Sequence, residues 1–137
     1  MVVAKVNPQF WKGKRVFVTG HTGFKGSWLS LWLQLMGAKV KGFSLAPPTQ
    51  PALFEVAKVG DNMQTEIDDI RNLQQLSQSI RAFNPDVLLH LAAQPLVRLS
   101  YKEPVDTYST NVMGTVNVLE AAHHTPNLKS VVIITTD

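Results

Sequence analysis

The sequence predicts a doubly wound α/β fold of the Rossmann type, with a parallel sheet in strand order 3-2-1-4-5, truncated after the fifth strand. Three observations predict it. Short β-rich apolar runs alternate with segments of helical periodicity along the whole chain. A glycine-spaced turn, Gly20-His-Thr-Gly23-Phe-Lys-Gly26, follows the first such run and opens the first long helix. Right-handed crossovers between successive parallel strands then lead to that strand order.

Each element follows from its residues. Arg15-Val-Phe-Val-Thr19 is a strand buried on both faces. Ser27 to Met36 places Trp28, Leu31, Trp32, Leu35 and Met36 at helical spacing, which predicts an amphipathic helix with both tryptophans packed in the core. Gly37 ends it, and Lys39 to Phe43 is the second strand. Ser44 to Pro51 is a proline-rich loop, and residues 52–58 form a short helix. Met63 to Ile67 is the third strand. A helix marked by Leu73, Leu76, Ile80 and Phe83 stops at Asn84-Pro85. Val87 to Leu91 is the fourth strand. A long loop with Pro95 and Pro104 leads to one helix from about Asp106 to His123, and Lys129 to Thr135 is the fifth strand.

Residues 1–14 read as an N-terminal arm and 15–137 as a dinucleotide-binding domain. The sequence stops directly after a strand that reads as central, whereas a full sheet of this type has a sixth. The domain is therefore expected to be incomplete at its C-terminus, with a substrate domain absent.

Composition narrows the function. The chain has 137 residues, 45% hydrophobic and 17% charged, which excludes a disordered tail. Without cysteine there is no thiolate metal site, disulfide scaffold or cysteine nucleophile. A net charge of +3 lacks the dense basic stripe of a nucleic-acid binder. The longest apolar stretch, Trp28 to Met36, is too short to cross a membrane, and no signal peptide is evident, so a cytoplasmic protein is expected.

The glycine turn carries the chemistry. Between a strand and a helix it provides a tight turn, bare backbone for a pyrophosphate and close helix–strand packing, although a purely structural turn has the same glycines. Residues 25–27 are Lys-Gly-Ser, the wrong order for a Walker A loop. Ser44 stands where such sites usually place an acid for the adenosine ribose. It can donate one hydrogen bond, and no arginine follows for a 2′-phosphate, so NAD is expected over NADP. Asp69-Ile70 reads either as an adenine contact or as a carboxylate at a helix N-terminus. Leu91-Ala-Ala-Gln94 reads as a small-residue wall for the cofactor or as packing. His90 reads as a satisfied core histidine, and His123-His124 as a helix C-terminus with no metal role.

Val18 to Gly26, Asp69-Ile-Arg71, His90 to Gln94 and Thr110 to Ala122 resemble the extended short-chain dehydrogenase/reductase superfamily. His21 to Trp28, Ala46-Pro-Pro-Thr49 before Leu53-Phe-Glu55, and Ala92 to Tyr101 are similar to CDP-glucose 4,6-dehydratases. The resemblance implies a lyase that converts CDP-glucose to CDP-4-keto-6-deoxyglucose. NAD takes the C4 hydride, water leaves across C5–C6, and the hydride returns to C6. It implies diphosphate contacts at Gly20, Gly23, Phe24, Lys25 and Gly26, and adenine contacts at Asp69 and Ile70. It further implies a cofactor wall at Leu91, Ala92, Ala93 and Gln94, with a further contact at Thr110. Thr136 would bond the C4 oxygen, and Asp137 would be the general acid for the departing 6-hydroxyl. A homodimer is implied as well. Two features depart from the pattern: Ser44 replaces the acid, and no tyrosine is followed four places on by lysine. The chain alone is therefore expected to be inactive. A nucleotide-sugar epimerase or reductase of the same superfamily, or a non-catalytic NAD-binding module, is the alternative.

Overall fold

The computed structural model describes residues 5–135. Five strands, β1 (Arg15–Thr19), β2 (Lys39–Ser44), β3 (Gln64–Ile67), β4 (Val87–His90) and β5 (Ser130–Ile133), form one sheet in the order β3-β2-β1-β4-β5. Every neighbouring pair is parallel, with Val18 beside Gly42 on one side and Leu89 on the other. The strand order reverses between β1 and β4, which opens a crevice beyond their carboxyl ends.

Alternation along the strands divides the interior in two. Phe17, Phe43 and Leu88 pack with Leu76, Ile80 and Phe83 of α4 (Leu73–Phe83) and with Val118 and Ala121 of α7 (Gly114–His123). On the other face Val16, Val18, Val40, Val87 and Leu89 pack with Leu33 and Met36 at the end of α2 (Phe24–Leu35). The N-terminal arm contributes here. Its short helix α1 (Pro8–Trp11), capped by the Asn7 side chain, lays Trp11 against this second cluster.

Helix α2 turns a different face inward from the one its periodicity predicts. Gly26, Ser27, Ser30 and Leu33 are buried, while Trp28, Trp32 and Leu35 are 56%, 50% and 85% exposed. The reason is close approach. A Cβ on Gly26 would lie 2.0 Å from the Gly20 carbonyl oxygen, and Ser27 Oγ donates to the His21 carbonyl at 3.0 Å. Only small side chains fit under the first turns of the helix, this near the glycine turn. Apolar spacing by itself does not distinguish a large-residue stripe from a small-residue one.

The stretch read as a long loop after β4 contains two short helices, α5 (Val97–Lys102) and α6 (Pro104–Tyr108). Pro104 occupies the first helical position, where its missing N–H costs nothing, so it starts a helix. The helix expected from Asp106 to His123 instead runs through α6, a π-helical turn at Ser109–Met113, and α7. After β2, α3 (Leu53–Val56) leads into a 3₁₀ turn at Val59–Asn62.

The inward face of α2 makes a testable distinction. Leu33→Ala should cost about 2–5 kcal/mol in urea unfolding, as for a buried leucine. Trp28→Ala and Trp32→Ala should each cost less than about 1 kcal/mol, as surface positions do. Equal losses at all three would return the tryptophans to the core.

Candidate functional site

The glycine turn sits at the mouth of the crevice, and its three glycines do different work. Gly20 has φ +79°, and a Cβ there would lie 2.7 Å from the Ala92 nitrogen. Gly20 and Gly26 therefore serve the packing of chain on chain. A Cβ on Gly23 would meet only the Gly20 carbonyl oxygen, at 3.4 Å. Gly23 is the N-cap of the twelve-residue α2 and offers no capping side chain, and the first turn holds no acid. Its free N–H groups and the positive end of the helix dipole suit an anion such as a diphosphate. Phe24 and Lys25 follow on that turn and are exposed.

At the end of β2, the Ser44 hydroxyl is engaged rather than free to donate. Thr22 Oγ1 lies 2.8 Å from Ser44 Oγ and donates to the Leu45 carbonyl at 2.8 Å. With the Thr22 proton committed to Leu45, the Ser44 proton goes to Thr22.

Beyond β3, Asp69 is held by Arg71, whose Nε and a terminal nitrogen bond both carboxylate oxygens at 2.7–3.1 Å. This pairing keeps the Asp69 carboxyl below its ordinary range. Arg71 also reaches Asp106 of α6 at 2.6 Å. Helix α4 is capped by Asn72, which accepts from the Gln75 N–H at 3.3 Å, so Asp69 is not its cap. Ile70 is 4% exposed and belongs to the core. A Cβ on Gly114 would lie 2.4 Å from Ile70 Cδ1. The Ile70 carbonyl accepts from the Asn117 amide at 3.0 Å, so what Ile70 can present to a ligand is its backbone N–H.

The β4 side of the crevice is stapled by one hydroxyl. Thr19 Oγ1 accepts the Leu91 and Ala92 N–H groups at 3.2 Å each and lies 2.6 Å from His90 Nδ1. With its lone pairs taken, Thr19 donates its proton to Nδ1, which places the ring proton on Nε2. Nε2 then meets Thr115 Oγ1 at 3.1 Å, and Thr115 donates to the Asn111 carbonyl at 2.7 Å. His90 is thus the satisfied core histidine that its place in a strand predicts. Burial lowers its pKa from 6.5 to about 4.

Leu91, Ala92, Ala93 and Gln94 are half-buried along this wall. The Gln94 side chain is spent on Leu96 of its own loop and on Thr107 of α6. Its backbone exchanges two hydrogen bonds with the Asn111 amide, at 2.7 and 3.0 Å. Asn111 and Thr110 lie in the π-helical turn, a distortion that recurs at functional sites. A cleft of about 280 Å³ opens beside it between Gln94–Val97 and Tyr108–Val112. Thr136 and Asp137 lie outside the described residues.

His21 is wholly buried, with no partner for either ring nitrogen among the described residues. Its ring sits against Gly42, where a Cβ would lie 2.1 Å from Cγ, and edge-on to Phe54 at 5.3 Å. Desolvation lowers its pKa from 6.5 to about 4. His124 bonds Glu120 at 2.9 Å at the exposed end of α7. Among the described residues no three metal-ligating side chains converge.

Thr19, Thr22, Arg71 and Asn111 were not singled out from sequence. All four nonetheless lie within segments that carry the family resemblance, Val18 to Gly26, Asp69 to Arg71 and Thr110 to Ala122.

The model of one protein family, described as GDP-mannose 4,6 dehydratase, matches residues 17–137. The chain is similar to a CDP-glucose 4,6-dehydratase of Salmonella typhimurium, with 59% identity over 96% of the chain and 37% of that protein. It is 34% identical to a UDP-glucose 4-epimerase of Mycolicibacterium smegmatis over 79% of the chain and 34% of that protein. Among solved structures, a Thermus thermophilus UDP-glucose 4-epimerase complex with NAD superposes with a TM-score of 0.72 at 30% identity, over 82% of the chain and 34% of that one. A Stenotrophomonas maltophila UDP-glucose-4-epimerase superposes with a TM-score of 0.77 at 24% identity, over 88% and 36%. The chain spans about a third of the length of these relatives.

Two measurements check the site. Gly23→Ala should fold normally yet weaken NAD binding by about tenfold or more, whereas Gly26→Ala should fail to fold stably. Titration showing full affinity in folded Gly23→Ala would remove the diphosphate from this turn. The two depressed histidines set a pH dependence. Their neutral forms are favoured by the fold, so stability is complete above about 6.5 and falls as pH drops from there through 4. Urea midpoints should decline across that window, and less so in His90→Gln. A flat profile would contradict the assigned protonation.

Proposed function

The chain belongs to the GDP-mannose 4,6 dehydratase family, and from this we propose that it is the NAD-binding portion of a CDP-glucose 4,6-dehydratase. One observation carries the substrate: 59% identity over 96% of the chain to a protein of that activity. The open Gly23 position at the start of α2 supports the cofactor.

In this reading Gly23, Phe24 and Lys25 hold the diphosphate, while Gly20 and Gly26 shape the turn beneath it. Ser44 faces the adenosine ribose. Asp69, fixed by Arg71, and the Ile70 backbone hold the adenine end. Leu91, Ala92, Ala93 and the backbone of Gln94 form the wall, with Thr110 above it. Bound NAD supplies a reversible hydride acceptor that is regenerated in each turnover. The chain's own residues position the reactants and move protons. Thr136 bonds the sugar C4 oxygen, and Asp137 gives its proton to the departing C6 hydroxyl. That role requires a carboxyl kept protonated near working pH, so burial would have to raise its pKa.

Partner and location belong to the same proposal. Val105, Tyr108, Val112, Val116 and Leu119 are exposed at three- and four-residue spacing along α6, the π turn and α7. This stripe supports a homodimer. No helix among the described residues is long and apolar enough to cross a membrane, and we place the enzyme in the cytoplasm. The chain by itself is proposed to be inactive, for want of a tyrosine–lysine pair at the spacing the family uses.

The second reading is a nucleotide-sugar epimerase, favoured by the solved structures that superpose on this chain. Turnover by a full-length enzyme carrying this segment separates the two. A dehydratase should convert CDP-glucose to a product lighter by one water, with no net NADH. In that enzyme Asp137→Asn should slow elimination more than C4 oxidation in single turnover. An isomer of unchanged mass would establish the epimerase, and equal slowing of both steps would remove Asp137 from the acid role.

A further inference from the structure

The end of β2 holds a serine where dinucleotide sites usually hold a carboxylate. A carboxylate there only accepts hydrogen bonds, which suits the two ribose hydroxyls and repels a 2′-phosphate. A serine hydroxyl can donate as well as accept, so by itself it does not discriminate. The neighbouring threonine changes this.

Thr22 is 3% exposed and Ser44 8% exposed, so water competes little for either hydroxyl. Thr22 has one proton. Its Oγ1 lies 2.8 Å from the Leu45 carbonyl oxygen, which can only accept. The same oxygen lies 2.8 Å from Ser44 Oγ, and that bond must therefore run from Ser44 to Thr22. Ser44 is left with lone pairs and no free proton.

We infer that Thr22, by taking the Ser44 proton, makes Ser44 an obligate acceptor and so sets the preference for a 2′-hydroxyl over a 2′-phosphate. This rests on the reading of the crevice as an NAD site and names the residue that tunes it. A ribose 2′-hydroxyl has a proton to give to Ser44. The oxygens of a 2′-phosphate dianion have none, and they meet acceptor against acceptor with poor access to water. The effect reproduces the hydrogen-bonding sense of a carboxylate without its charge. It depends on the Leu45 carbonyl holding the Thr22 proton, so Thr22 is a positioning residue that acts through Ser44.

The test is the ratio of NAD to NADP affinity, measured by calorimetric titration of the whole protein with each dinucleotide. Thr22→Val keeps the shape and removes the hydroxyl, freeing Ser44 to donate. It should reduce the preference for NAD by about fivefold, the size of one neutral hydrogen bond. Thr22→Ser keeps the proton relay and should behave as wild type. Ser44→Ala should weaken NAD binding and, by removing the acceptor that opposes the 2′-phosphate, narrow the NAD-to-NADP ratio, and it reads the same contact if Thr22→Val does not fold. Wild type that prefers NAD, with an unchanged ratio in folded Thr22→Val, would overturn the inference and leave the NAD site standing. Unchanged affinities in Ser44→Ala would also overturn it. Wild type that binds neither dinucleotide would remove the underlying reading as well.

Discussion

The structure depends on how closely the start of α2 approaches the end of β1. A Cβ on Gly26 would lie 2.0 Å from the Gly20 carbonyl oxygen, so the helix can sit this low only with glycine there. Gly20 makes the turn itself in a left-handed conformation, pressed against Ala92. From this contact follow the burial of Ser27 and Ser30, the outward tryptophans and the placement of the first-turn N–H groups at the crevice. Gly23 is left open because its two neighbouring glycines absorb the packing.

Polar groups around the crevice are proton-ordered rather than charged. Thr19 serves four partners: two backbone N–H groups, His90 and the sheet it belongs to. The chain of bonds continues through Thr115 to Asn111, and from Asn111 back to the loop at Gln94. A neutral His90 is required at its centre, and burial supplies one. The charges lie at the periphery, where Arg71 joins Asp69 beyond β3 to Asp106 of α6. Exposed ion pairs of this kind contribute little stability. Their consequence here is to hold one carboxylate ionised and oriented beyond β3, at what we propose is the adenine end.

The insertion after β2 and the π-helical turn lie on either side of this crevice. The former docks through Phe54 onto His21, within the glycine turn. The latter places Asn111 under Gln94 and Gly114 against Ile70. Both tie the candidate ligand-contacting segments to the core, so the site is built on packed elements and not on free loops.

Local periodicity and turn chemistry determined the five strands and the glycine turn, because each depends on residues near one another in sequence; the strand order followed from the handedness of the crossovers between them. The satisfied His90 was legible for the same reason: a lone histidine inside an apolar strand must find partners. The orientation of α2 was not legible, because it depends on a contact between Gly20 and Gly26 that apolar spacing does not encode. Nor was the engagement of Ser44, since its partner Thr22 lies twenty-two residues away in the chain. Ile70 read as a ligand contact from its motif, and only tertiary packing against Gly114 shows its side chain to be core. Sequence determined which residue types reach the crevice. Tertiary structure decided which of their atoms remain free, because hydrogen-bond direction and close approach are settled between elements distant in the chain.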